Sequence, residues 1–208
     1  MDVNKRIEEL KIVPVVVLQD ADDALPLAEA LIKGGLPLAE VTFRTEAAEE
    51  SIRRISGRFP EMLVGAGTVS SVEQAVRAVD AGAEFLVSAG FQTDIIEFAQ
   101  KKGVPVFPGV CTPTELMLLA KHGLQVAKFF PAEQYGGLKT IRALSGPFPQ
   151  MRFMPTGGIN AGNIKAYLEE PKVIACGGSW MVKDSLIREK KFDEIRRLTA
   201  EAVALVRD

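Results

Sequence analysis

The segment Leu124-Gln125-Val126-Ala127-Lys128-Phe129-Phe130-Pro131 sets one lysine inside an apolar and aromatic run. Free lysine is almost wholly ammonium at neutral pH, and apolar burial favours the neutral amine because the charged form loses its hydration. A neutral amine attacks ketones, so Lys128 is a candidate Schiff-base nucleophile. A lysine at a strand end can instead reach solvent along its own stem, and the segment alone leaves both readings open. A second stretch, Leu38-Ala39-Glu40-Val41-Thr42-Phe43-Arg44, alternates in character. The two-residue period puts Glu40, Thr42 and Arg44 on one face and Val41 and Phe43 on the other. Glu40 suits a general base, and Arg44 suits a carboxylate, which a planar guanidinium holds through two parallel hydrogen bonds. A buried ion pair between the two is the purely structural alternative. Three glycine-rich segments follow the same pattern: Gly65-Ala66-Gly67-Thr68, Pro155-Thr156-Gly157-Gly158-Ile159 and Cys176-Gly177-Gly178-Ser179. The last two could bring backbone N–H groups close to an anion such as phosphate, with the Ser179 hydroxyl as a further donor. Glycine pairs also serve tight turns alone.

These residues need a frame, and the chain supplies a rhythm of short Val-, Ile- and Phe-rich runs alternating with stretches of helical period. The runs predict eight strands near residues 13–18, 38–43, 62–66, 85–87, 105–107, 125–129, 152–155 and 173–176. Between them, helical periodicity falls on 22–32, 47–55, 72–81, 94–101, 113–122, 138–144 and 163–168, and the chain closes with 192–206. Thr45, Ser71, Thr93 and Thr112 stand where N-caps belong, Pro113 at a first helical position, and Gly34, Gly35, Gly82, Gly103 and Gly123 where helices end. Eight β/α units without an early GxGxxG favour a closed (β/α)8 TIM barrel over an open doubly wound sheet. The expectation is one barrel domain over 1–208 with an N-terminal helix. In such a barrel, reactive residues project from the C-terminal strand ends, and phosphate is commonly held after strands seven and eight. Glu40, Arg44, Lys128 and the later glycine pairs all fall there.

Composition narrows the function classes. The 208 residues are 47% hydrophobic, and 25 Lys+Arg against 27 Asp+Glu leave a net charge of -2, so no basic surface is expected to neutralise a nucleic-acid backbone. The longest aliphatic run, residues 12–18, is too short to span a bilayer, and the first ten residues are charged where a signal peptide would be apolar, so a cytoplasmic protein is expected. Cys111 and Cys176 lack CxxC spacing or nearby His partners, which points to two reduced, half-buried thiols. His122 reads as a helix-end residue and Trp180 as a packing residue.

Taken in order, Glu40-Val41-Thr42-Phe43-Arg44-Thr45, Gly65-Ala66-Gly67-Thr68-Val69, Lys128-Phe129-Phe130-Pro131-Ala132-Glu133, Pro155-Thr156-Gly157-Gly158-Ile159 and Gly177-Gly178-Ser179-Trp180 form a specific series. The series, spread over nearly the whole chain, resembles the 2-keto-3-deoxy-6-phosphogluconate (KDPG) aldolases, often bifunctional as 4-hydroxy-2-oxoglutarate (KHG) aldolases. The resemblance implies a class I aldolase that needs neither metal nor cofactor and acts on a small 2-keto acid and a phosphorylated aldehyde. It implies Lys128 as Schiff-base nucleophile, Glu40 as general base, and Arg44 and Thr68 around the pyruvate carboxylate and carbonyl. Gly157, Gly158, Gly178 and Ser179 would form the phosphate pocket, and the assembly would be a homotrimer. One departure is visible: the chain reads Ser88-Ala89-Gly90 where the family usually has proline after the serine. That bears on the shape of one wall and on the choice among phosphogluconate, phosphogalactonate and 4-hydroxy-2-oxoglutarate substrates. Two other readings fit a barrel of this kind: a phosphate-binding isomerase working by acid–base catalysis, and an inactive or engineered oligomeric scaffold.

Overall fold

Short runs of branched and aromatic residues form the strands of the computed structural model, which describes residues 2–207. They are β1 (Ile12–Val16), β2 (Leu38–Thr42), β3 (Leu63–Gly67), β4 (Phe85–Val87), β5 (Val106–Phe107), β6 (Gly109–Val110), β7 (Val126–Phe129), β8 (Arg152–Pro155) and β9 (Cys176–Gly178). The helices are α1 (Val3–Leu10), α2 (Ala24–Lys33), α3 (Ala48–Arg58), α4 (Val72–Asp80), α5 (Thr93–Lys102), α6 (Pro113–Lys121), α7 (Gly137–Ser145), α8 (Ile164–Leu168), α9 (Asp184–Arg188) and α10 (Phe192–Val206). The strand pairings are parallel, in sheets ordered β5-β4-β3-β2-β1-β9 and β6-β7-β8. An isolated parallel bridge, Thr156 to Gly177, links the end of β8 to β9. The result is a parallel α/β fold with a curled sheet.

Alternation along each strand sorts the core into two clusters. One face, with Ile12, Val41, Val64, Leu86, Val106, Ala127 and Phe153, packs against the helices. The other carries Val13, Leu38, Leu63, Phe85, Phe107 and Met154, with Ile7 of α1 packed against them. Phe85 meets Phe107 edge-on at 5.9 Å between ring centroids, and burying such a ring contributes about 1.5–3 kcal/mol. The Phe85 ring also occupies the space a side chain at Gly65 would need, since a Cβ there would lie 2.2 Å from it. Two residues beyond this packed layer, on the same strand faces, stand Glu40 after Leu38 and Lys128 after Val126.

Several expectations change in detail. The fifth strand is only β5 (Val106–Phe107), and beyond Pro108, which lacks a backbone N–H but whose carbonyl accepts from the Lys128 N–H at 3.0 Å, the chain forms β6 in the other sheet. The eighth lies at Cys176–Gly178 rather than 173–176, and Val173 makes only an isolated bridge to Phe153. The helix expected from residue 22 opens as a 3-10 turn at Ala21–Asp23 before α2, while α9 and the 3-10 turn at Glu133–Tyr135 lie outside the expected elements. The expected N-terminal helix is α1, capped by the Asp2 carboxylate, which accepts from the Asn4 N–H at 3.0 Å. Ser71 and Thr112 cap α4 and α6, the latter in a reciprocal box with Glu115. Thr45 instead donates its hydroxyl to the Leu18 carbonyl, and Thr93 is already inside its helix behind Gln92.

Candidate active site

The strand ends bring Lys128 and Glu40 together from 88 positions apart in the chain. Lys128 is only 2% exposed and Glu40 is fully buried, and the Lys128 Nζ lies 3.4 Å from Glu40 Oε1. The lysine therefore does not snorkel to solvent, and the partner of Glu40 is Lys128 rather than Arg44. Lys128 Nζ also sits 5.1 Å from the centroid of the Phe130 ring. Glu40 Oε2 is buried and has no hydrogen-bond partner among the described residues. A buried carboxylate oxygen without a protein partner is uncommon, and such groups concentrate at functional sites. Room for this carboxyl comes from Gly67: a Cβ there would stand 2.2 Å from Glu40 Oε1 and 2.6 Å from its Cγ.

Arg44 and Thr42 part company although they share the strand's parity. Thr42 is buried and donates its hydroxyl to the Val16 carbonyl at 2.8 Å, a tie between β1 and β2. Arg44 is exposed and its Nε donates to Thr68 Oγ1 at 3.2 Å. Thr68 has a φ of 55°, a left-handed conformation that is strained for a β-branched residue. In that conformation its hydroxyl oxygen accepts from the Arg44 guanidinium.

A cavity of about 340 Å³ opens beside these residues. Its walls include Arg44, Phe130, Thr156, Gly157, Gly158, Gly178 and Ser179, so the arginine and both expected glycine pairs share one space. Lys128, Glu40 and Thr68 are not among its lining residues; Lys128 and Glu40 are buried, and Phe130, on the cavity wall, has its ring 5.1 Å from the Lys128 amine. Gly157 and Gly158 have φ of 100° and 80°, conformations that side chains resist. Beneath them Glu133 fills the space a Cβ on Gly158 would need, at 2.5 Å. The Tyr167 hydroxyl donates to Glu133 Oε1, and burial, followed by that carboxylate, pushes its pKa well above the ordinary tyrosine value. The Glu133 N–H in turn donates to the Gly157 carbonyl at 3.1 Å, which fixes the turn from a second side.

Thr156, buried at the end of β8, and the pair Lys183 and Asp184 also line the cavity, and no role was assigned to them from the sequence. Thr156 was marked by its place just before Gly157-Gly158, whereas Lys183 and Asp184 begin a five-residue helix too short for a periodic signal. Among the described residues, no group of three or more His, Cys, Asp or Glu is placed to hold a metal ion. Nor is any helix long and apolar enough to cross a membrane. Cys176 is wholly buried rather than half-buried, and that burial pushes its thiol pKa far above the usual range. His122 ends α6, where its carbonyl accepts from Gln100, and Trp180 packs against the core, close to where a Cβ on Gly178 would be.

The family model for KDPG and KHG aldolase matches residues 3–198. The chain belongs to that family. It is 46% identical over 203 residues to the 2-dehydro-3-deoxy-phosphogluconate aldolase of Haemophilus influenzae, covering 98% of this chain and 96% of that one. It is 43% identical over 192 residues to the KHG/KDPG aldolase of Escherichia coli K12, covering 92% and 90%. Among solved structures, the KDPG aldolase from Legionella pneumophila superimposes with a TM-score of 0.93 at 39% identity, covering 97% of this chain and 98% of that one. That enzyme was captured with pyruvate at low pH as a covalent carbinolamine intermediate.

Proposed function

We propose that this member of the KDPG and KHG aldolase family is a class I aldolase that cleaves 2-dehydro-3-deoxy-6-phosphogluconate to pyruvate and glyceraldehyde 3-phosphate, and 4-hydroxy-2-oxoglutarate to pyruvate and glyoxylate. The observation that carries this reading is the buried Lys128 amine 3.4 Å from a carboxylate whose second oxygen has no partner. Lys128 loses a proton to Glu40 and adds to the C2 ketone, forming a carbinolamine; Glu40 returns that proton to the hydroxyl, which departs as water to leave an iminium and a free carboxylate. Glu40 then takes the proton of the C4 hydroxyl as the C3–C4 bond breaks, and the bonding electrons move onto the iminium to give an enamine while the aldehyde departs. Protonation at C3 and hydrolysis release pyruvate and restore the amine. Arg44, steadied by Thr68, pairs with the pyruvate carboxylate and so turns the ketone towards Lys128. Gly157, Gly158, Gly178 and Ser179, which line the same cavity as Arg44, take the phosphate.

A single domain built on a closed eight-stranded barrel is part of the same reading. It is supported by the Thr156–Gly177 bridge between the two sheets and by β5 and β6, the edge strands of those sheets, being separated only by Pro108. The family resemblance further supports a homotrimer, checked by light-scattering mass, in a cytoplasmic setting. The deciding experiment is cleavage of the phosphogluconate, phosphogalactonate and 4-hydroxy-2-oxoglutarate substrates side by side, coupled to lactate dehydrogenase, with Lys128→Ala as blank. Pyruvate release from the first and third that vanishes in Lys128→Ala supports the reading. Release that survives the substitution overturns it.

A further inference from the structure

The glycines and Ser179 assigned to the phosphate are neutral donors, yet the ligand they are to hold is a dianion. Two cations line the cavity, Arg44 and Lys183. Arg44 is committed to Thr68 on the β2–β3 side, where the carboxylate of the keto acid is placed. Lys183 lies four positions beyond Ser179, on the turn that closes back against it through a Val182 N–H to Ser179 carbonyl bond of 3.1 Å. Its own carbonyl accepts from the Leu186 and Ile187 N–H groups at 2.9 and 3.2 Å, so its backbone is fixed while its side chain is exposed. Among the described residues, the Lys183 ammonium has no ion-pair partner, whereas the neighbouring Lys190 and Lys191 are bound by Asp23 and Glu189. Among the described residues, the one carboxylate on the cavity wall is Asp184. One of its oxygens is taken by Arg188 at 3.0 Å, and the other, Oδ1, is buried without a partner. The charge of Asp184 is thus met by Arg188, and the Lys183 ammonium is left as the free positive charge on that side of the cavity.

We propose that Lys183 is a specificity-determining residue that selects the phosphorylated substrate by pairing with its terminal phosphate at the rim of the cavity. The inference rests on the aldolase reading above. A rim charge acts on the phosphate equally in the ground state and the transition state, so its removal raises KM more than it lowers kcat. Being solvent-facing, it is also screened by salt.

The test compares 2-dehydro-3-deoxy-6-phosphogluconate with its dephosphorylated counterpart, 2-dehydro-3-deoxygluconate, in wild type, Lys183→Ala and Lys183→Arg, with inorganic phosphate as a competitive inhibitor. The ratio of kcat/KM for the two substrates is expected to fall about tenfold in Lys183→Ala, equivalent to ~1.4 kcal/mol. The inhibition constant of phosphate should rise in proportion, the salt dependence of kcat/KM should flatten, and Lys183→Arg should restore all three. An unchanged ratio overturns the proposal, whether both activities hold or both fall together, because the residue then acts on the site without reading the phosphate. Failure of the aldolase reading shows separately, as cleavage that survives Lys128→Ala.

Discussion

Gly67→Ala adds a single methyl group to the wall behind the general base. The new Cβ would lie 2.2 Å from Glu40 Oε1, 2.6 Å from Cγ and 2.8 Å from Cδ, so it meets the root of the carboxyl as well as its tip. Reaching the 3.4 Å of ordinary contact requires roughly 1.2 Å of movement. Glu40 is fully buried, and Lys128 already stands 3.4 Å away, so the carboxyl cannot swing clear without leaving the amine or compressing its neighbours. Overpacking of this kind costs about 1–3 kcal/mol of stability, and a misplacement of about 1 Å in a reacting group costs on the order of a hundredfold in rate. The expected outcome is a lowered denaturant midpoint together with a kcat reduced about a hundredfold in the lactate dehydrogenase-coupled assay. In the double variant Glu40→Ala/Gly67→Ala the clash is gone, so a double-mutant cycle should show positive coupling in stability while activity stays lost. A Gly67→Ala enzyme within about threefold of wild-type kcat would refute the placement of Glu40 as a tightly held base.

Arg44→Lys keeps the charge but loses the planar fork and the Nε bond to Thr68, so KM for the keto acid should rise about tenfold with the amine chemistry intact; an unchanged KM would remove Arg44 from carboxylate binding. Thr199 on α10 buries an Oγ1 with no partner against α2, so Thr199→Val should leave stability unchanged or raise it by about 1 kcal/mol in thermal or urea unfolding, and a loss larger than that would show an unseen partner. The Cys176 pKa is raised by burial, and that of Cys111 by burial and then by the Glu115 charge, so both thiolates are scarce at neutral pH and grow as pH rises. Alkylation of the native protein should therefore be slow and confined to Cys111 until denaturant exposes Cys176; rapid native labelling of Cys176 would contradict its burial.

Much of this arrangement is legible in local sequence because strand alternation and helix caps are local effects. Phe85–Val87, Arg152–Pro155 and Phe192–Val206 fall where their patterns predict, and Thr112 with Glu115 forms the cap its spacing announces. The last strand is not legible in this way. The branched residues Val173 and Ile174 suggest a strand, yet the paired segment is Cys176-Gly177-Gly178, selected by its register with Ile12, Val13 and Pro14 rather than by propensity. The partner of Glu40 was equally hidden. Along one strand the visible cation is Arg44, but four residues of extended chain separate the two, and it is the curl of the sheet that delivers Lys128 instead. Thr68 could be named from its motif, while its strained backbone and its bond to Arg44 appear only in three dimensions.

The central claim is covalent, and borohydride reduction in the presence of pyruvate tests it most directly. Mass spectrometry should find one reduced pyruvate adduct per chain, located at Lys128, with activity lost irreversibly and with no adduct in Lys128→Ala. Protein that stays unmodified and active under the same treatment, or an adduct on any other lysine, would contradict the account.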